Sequence, residues 1–240
     1  MKNLLNRFHQ INQLEKRRAA LLAKDNLPGI IAKLLKQPYP TPDSKLKDLE
    51  FLVFDLETTG LDPKEDRILS IGYLEIKDMR VDISTSVHTY IQAEKYVKAE
   101  AAVINHIVPE MLSSGQPFDE AMEALFLAMQ GKVLIAHGTV VEKNFIDAYV
   151  KRRYDLEPLP LLWLDTLLLE KSLLRNKSDS GSGDYQLASV RERHNLPPYH
   201  AHNALSDSIA TGELFLVLTK IIHGKSPASL RGVYKAIHDN

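Results

Sequence analysis

The chain contains no cysteine in 240 residues. That excludes disulfides, zinc–thiolate sites and thiol nucleophiles at once. No run of apolar residues approaches the length of a transmembrane helix, and the N-terminal stretch lacks the apolar core of a secretion signal, so the expected location is cytoplasmic. Charge of one sign is also missing: 30 basic against 31 acidic residues leave a formal net charge of −1. No global basic field therefore announces nucleic acid, and a polyanion would have to meet local clusters such as "KRR" at Lys16 and Lys151. What is present is 44% hydrophobic and 25% charged sequence, enough for a full core without covalent staples.

The first 36 residues read as helix, with Leu4, Leu5, Phe8, Ile11, Leu14, Leu21 and Leu22 approximating a 3.6-residue stripe. "QPYPTPDS" follows as a linker. The expected division is a helical extension and linker over 1–48, a main domain over 49–225 and a C-terminal tail over 226–240. The extension either packs on the domain or serves a protein partner. From Leu49 the texture changes. "FLVFDLE", "RILSIGYLEIKD" and "RVDISTSVHTYIQ" are β-rich runs joined by short turns, which predicts an antiparallel meander. Helical and strand patterns then alternate: "AEAAVINHIVPEML", "PFDEAMEALFLAMQG", "KVLIAHG", "VVEKNFIDAYVKRRY", "PLLWLDTLLLEKSLL", "YQLASVRERHN" and a long helix after "HNALSD". "NKSDSGSGD" reads as a loop. A meander followed by alternation predicts α/β layers around a mixed sheet.

Three places put acids or histidines where a core would not want them. In "FLVFDLETTG", Asp55 and Glu57 fall on one face of a strand by its two-residue period. Side by side, two like charges repel unless a cation lies between them. In "IAHGTVVEKNF", a buried strand ends at His137 and Glu142 lies in the first turn of the next helix. In "HNALSD", His202 precedes a helix and Asp207 shares an inward face with Ala210, Thr211 and Leu214. Each has a bland alternative: a chance acid pair, a helix-dipole partner, a salt bridge. Jointly, in this order along one chain, the bland readings explain little.

These motifs resemble the DEDD superfamily of 3′→5′ exonucleases, in its histidine-bearing branch. That branch includes the proofreading epsilon subunit of bacterial DNA polymerase III, ribonuclease T and oligoribonuclease. "FDLETTG" resembles the first motif and "HNALSD" the third; "DTLLLEKSLL" and "LSDSIATGELFL" are also similar. The resemblance covers about residues 49 to 223 and implies a ribonuclease H-like fold. The second motif departs from the epsilon pattern, with Gly138 after His137 and Glu142 where an Asp is usual.

The implied chemistry is metal-dependent hydrolysis from the 3′ end of single-stranded nucleic acid, DNA favoured, releasing nucleoside 5′-monophosphates. Two Mg²⁺ or Mn²⁺ ions about 4 Å apart neutralise charge on such a phosphodiester, and oxygen ligands suit them. Asp55 is implied to bridge both ions, with Glu57, Asp207 and Glu142 completing the set. His202 is implied as general base toward the attacking water. Thr58, Thr59, Gly60 and Leu61 match positions lining the terminal nucleotide, and Glu100 and Asn105 match positions near its 3′-hydroxyl. Two further functions share this motif set: an inactive exonuclease-like module that only binds nucleic acid, and an exoribonuclease or small-nucleotide phosphohydrolase.

Overall fold

The computed structural model describes residues 2–92, 107–174 and 183–238. Glu100 and Asn105, most of "AEAAVINHI" and most of "NKSDSGSGD" lie outside the described residues. Five strands form one sheet: β1 (Phe51–Thr58), β2 (Ile68–Lys77), β3 (Arg80–Tyr90), β4 (Val133–Ala136) and β5 (Trp163–Asp165), in the spatial order β3-β2-β1-β4-β5. β1, β2 and β3 pair antiparallel, as the short turns between them require, while β4 and β5 join parallel to β1. The sheet is therefore mixed, with helices on both faces.

Alternation along β1 separates two cores. Leu52, Phe54 and Leu56 enter one cluster, with α4 (Phe118–Ala128) and α5 (Val140–Tyr154) packed over them. Phe51 and Val53 enter the other, under α6 (Thr166–Leu174), α8 (Ala204–His223) and α9 (Leu230–His238). Two short helices, α3 (Pro109–Ser113) and α7 (Leu187–Arg193), complete the described elements after β1. Asp55 and Glu57 continue the odd-numbered face of β1, so they emerge at the C-terminal end of the strand on the side that carries α8.

The N-terminal extension is two helices rather than one: α1 (Lys2–Leu22) and α2 (Gly29–Leu34). The break comes at Pro28, whose extended backbone (ψ 137°) and missing N–H suit it to start a helix but not to continue one. Arg18 then closes the angle between the two, donating to the Leu35 carbonyl at 2.7 Å while pairing with Glu15. Ile31, Leu34 and Leu35 are buried in the first core and Ile11 in the second. The extension thus supplies apolar side chains to both layers. The C-terminal tail contains α9, whose Leu230, Val233, Tyr234 and Ile237 are buried. Linker and tail are tied together: Leu46 N–H donates to the Ala228 carbonyl, Leu230 N–H to the Ser44 carbonyl, and Arg231 pairs with Asp43 at 2.6 Å.

Candidate active site

Four acids meet at the end of β1, delivered by three elements. The strand period presents Asp55 and Glu57. Asp207 comes from the first turn of α8, in the layer above the same face. Ligand oxygens of Asp55, Glu57 and Asp207 lie within 4.8 Å of one another. Glu142, from the first turn of α5 in the opposite layer, lines the same cleft of about 370 Å³, together with Thr58, Thr59, Gly60, Leu61, His137, Gly138 and His202.

The approach of α8 depends on a glycine. Asp55 pairs across the sheet with Gly72, and a Cβ built at Gly72 would fall 2.2 Å from the backbone of Ala204 and Leu205. The helix start rests directly on β2, and Ser208 Oγ confirms the contact by donating to the Gly72 carbonyl at 2.8 Å. Asn203 caps α8, its side chain accepting from Ser206 N–H. His202 adopts a left-handed backbone (φ 63°), unusual for a residue with a Cβ, and its N–H donates to Asp207 Oδ2 at 2.9 Å. That bond fixes both the carboxylate and the histidine's own position at the rim of the cleft.

A second device positions Glu142. Asp165, buried at the end of β5, accepts from the N–H groups of Gly138, Thr139 and Leu167 and from the Thr139 hydroxyl, all at 2.9–3.0 Å. One carboxylate thereby satisfies the starts of both α5 and α6, groups that a helix leaves without internal partners. His137 is committed elsewhere: one ring nitrogen is 2.8 Å from Thr166 Oγ1 and the other 2.8 Å from the Tyr185 carbonyl. It pins neighbouring segments together. Asp147, the other acid of this helix, faces Lys143, Arg17 and the Leu159 backbone instead of the cleft.

The turn after β1 is internally braced. Thr58 Oγ1 donates to the Gly60 carbonyl, Thr59 Oγ1 to Asp66, and Asp66 also accepts from Asp62 N–H. A Cβ at Gly60 would stand 2.4 Å from the Asp66 carboxylate, so a side chain there would displace Asp66 from its bonds to Thr59 and Asp62. Leu61 projects from the turn, 74% exposed.

Electrostatically the cleft is expensive as it stands. Burial, then the charges of Glu142, Glu57 and Asp207, hold Asp55 well above the usual carboxylate range. Burial, then Asp207, pushes Glu57 to about 7; burial, then Asp165, pushes Glu142 to about 8. Asp207 is raised too, because its burial outweighs the backbone N–H groups of His202 and Asn203. Among the described residues, Glu142 Oε2 is buried with no partner. Such a set of all-oxygen donors fits hard divalent cations.

Sequence reasoning did not single out Gly72 or assign Asp165 a role. A glycine inside a strand pattern signals a close backbone approach, which would have marked Gly72. Locally Asp165 reads as no more than a helix-start acid accepting from Leu167; its bonds to Gly138 and Thr139, 27 and 26 residues away, have no sequence signal.

The mixed five-strand sheet flanked by helices is a ribonuclease H-like fold, with the carboxylate cluster at the end of its first strand. The exonuclease family model, RNase_T, matches residues 52–215, and the chain belongs to that family of 3′→5′ exonucleases. Among similar proteins is the PolC-type DNA polymerase III of Thermotoga petrophila, 32% identical over 174 residues; the match covers 72% of this chain but only 12% of that protein's length. The DNA polymerase III epsilon subunit of Treponema pallidum is 29% identical over 168 residues, covering 70% of this chain and 75% of that one. The fold is shared with E. coli exonuclease I in complex with a dA16 oligonucleotide, at a TM-score of 0.58 and 20% identity, covering 72% of this chain and 41% of that one. Among the described residues, no helix is long and apolar enough to cross a membrane.

Proposed function

We propose that this chain hydrolyses single-stranded nucleic acid stepwise from the 3′ end, DNA favoured, releasing nucleoside 5′-monophosphates with two divalent cations. The observation that carries this reading is the convergence of Asp55, Glu57 and Asp207 within 4.8 Å, with partly buried or buried carboxylates raised by burial and by one another. Such a cluster is stabilised by cations and costs stability without them. Asp55, Glu57, Asp207 and Glu142 would hold Mg²⁺ or Mn²⁺, which supply charge neutralisation at a scissile phosphate.

The chain's own groups supply the rest. His202 would accept the proton of the attacking water, a role worth about 10²–10⁴ in rate. Thr58, Thr59, Gly60 and Leu61 would border the terminal nucleotide, with Leu61 free to press against its base. Glu100 and Asn105 would approach the 3′-hydroxyl. DNA is favoured because the similar polymerase III subunits are DNA polymerase proteins by name and exonuclease I was crystallised with a DNA oligonucleotide. The extension spends Ile11, Ile31, Leu34 and Leu35 on the domain's own cores, which supports packing over partner binding. A cytoplasmic location fits a cysteine-free chain.

The test is a time course on 3′- and 5′-labelled DNA and RNA oligonucleotides of matched sequence. Labelled mononucleotide should leave first from the 3′ end, stop with chelator and resume with Mg²⁺ or Mn²⁺. Comparable cutting of circular single strands, or full activity after exhaustive chelation, would refute the proposal.

A further inference from the structure

The segment between α7 and α8 carries His202 near its far end, and every residue from Pro197 to His202 is exposed. It has little structure of its own. Pro197 and Pro198 offer no N–H, and among the described residues no backbone–backbone hydrogen bond reaches any position from Pro197 to His202. What holds the loop is a side chain beneath it. Arg191 of α7 is buried, with 2% exposure, and its guanidinium spans three acceptors. Nη1 donates to the Ala210 carbonyl of α8 at 2.6 Å; Nη2 donates to the Pro197 carbonyl and to Glu213 Oε2, both at 2.8 Å. The Tyr199 ring covers the guanidinium, its centroid 4.8 Å from Cζ, and the Tyr199 hydroxyl donates to Glu213 Oε1 at 3.2 Å. An apolar side chain of similar length would pack here without the desolvation that a buried charge suffers. It could not hold a proline carbonyl and a tyrosine ring at fixed points together.

We infer that Arg191 is a positioning residue for His202: with Glu213 and Tyr199 it fixes the exposed loop on α8, and so sets where the imidazole stands relative to the carboxylate cluster. The inference rests on the exonuclease reading given above, in which His202 accepts the proton of the attacking water. Asp207, Ala210 and Glu213 all belong to α8, so the loop and a carboxylate of the cluster are referred to one rigid helix. The His202 N–H adds the last tie, to Asp207 itself. With Pro197 and Tyr199 released, that single bond is all that places the histidine. Proton transfer needs the base within about 2.6–3.2 Å of its partner atom, and a misplacement of about 1 Å costs about 10²-fold in rate. The planar fork matters as much as the charge. A lysine ammonium is a point charge on a flexible stem and cannot engage three acceptors in fixed directions.

Single-turnover release of a 3′-labelled nucleotide from single-stranded DNA is to be measured for Arg191→Met, Arg191→Lys, Tyr199→Ala, His202→Ala and the double variant Arg191→Met/His202→Ala. Mn²⁺ binding is to be followed by calorimetry and loop order by backbone amide relaxation. Arg191→Met keeps the packing of the stem, and Glu213, with its side chain 36% exposed, can turn to water. Arg191→Met should be slowed about 10- to 10²-fold with Mn²⁺ binding unweakened, and Arg191→Lys should recover little of the loss. The double variant should be no slower than His202→Ala alone, because a residue that acts through the imidazole has nothing left to position. Losses that multiply in the double variant, weakened Mn²⁺ binding, wild-type rates in Arg191→Met or full rescue by lysine would each overturn the inference. Should Arg191→Met fail to fold, Tyr199→Ala, a change at a 39% exposed side chain, carries the same comparison with His202→Ala. Order parameters from Tyr199 to His202 should fall below about 0.6 in Arg191→Met, and unchanged values overturn the anchor independently of activity. If the wild type releases no nucleotide, the exonuclease reading fails, and the order parameters still decide whether Arg191 fixes the loop.

Discussion

Replacing Gly72 by Ala adds one methyl group at the point where α8 rests on β2. The new Cβ would sit 2.2 Å from Ala204 C and Leu205 N and 2.4 Å from the Ala204 carbonyl oxygen, all backbone atoms that cannot rotate away. Reaching an ordinary contact of 3.4 Å requires the first turn of α8 to withdraw by about 1.2 Å. That turn carries Asp207, and the Ser208–Gly72 hydrogen bond opposes the withdrawal. Overpacking of this kind costs about 1–3 kcal/mol. The functional loss should exceed the structural one, because Mg²⁺ demands ligands at about 2.0–2.1 Å and a 1 Å misplacement costs about 10²-fold in rate. Gly212→Ala is the control on the same helix: its Cβ would meet only methyl groups of Val53, Val81 and Ile76 at 3.5–3.6 Å. Single-turnover release of a 3′-labelled nucleotide, titrated with Mg²⁺, should show Gly72→Ala slowed about 10²-fold with weakened Mg²⁺ dependence, and Gly212→Ala close to wild type. Wild-type rate and Mg²⁺ dependence in Gly72→Ala would refute the claim that this contact sets the site, as would equal damage from both variants.

His202→Ala should slow turnover about 10²–10⁴-fold while metal binding survives, whereas Asp207→Asn should weaken metal binding itself; calorimetry with Mn²⁺ separates them, and equal metal loss from both would show the roles wrongly divided. Glu142→Gln should lose most activity and Asp147→Asn stay near wild type, because only the first lines the cleft; the reverse result would realign the second motif. Without divalent ions, Glu57 and Glu142 hold protons up to about pH 7 and about pH 8, against 4.5 for an unfolded glutamate. The folded state then binds more protons than the unfolded chain across that window, so their contribution is full below pH 4.5 and is lost as pH rises toward 8. Thermal unfolding in chelator should therefore occur at lower temperature at pH 8 than at pH 5, and Mg²⁺ in place of chelator should recover the loss at pH 8; a metal-free midpoint that is flat or rises over this range would contradict the assigned burial.

The chain order of the site was legible before any folding, because each piece is a local regularity. Asp55 and Glu57 share a face through the two-residue period of a strand, and the same period sends Leu52, Phe54 and Leu56 to the other side. Asp207 turns inward through the helical period that also buries Ala210, Thr211 and Leu214. Short turns between the first three runs forced the antiparallel meander. What only the tertiary structure decided was how far these pieces stand from one another. Gly72 and Ser208 touch across 136 residues, and Asp165 holds the start of α5 across 26 and 27. The linker at Leu46 and the tail at Ala228 bond to each other from opposite ends of the chain. Local backbone geometry fixes which way a side chain points. The distance between two side chains depends on which layers pack, how closely their backbones can approach, and whether a glycine or a buried carboxylate lies between them, and those are properties of the closed core.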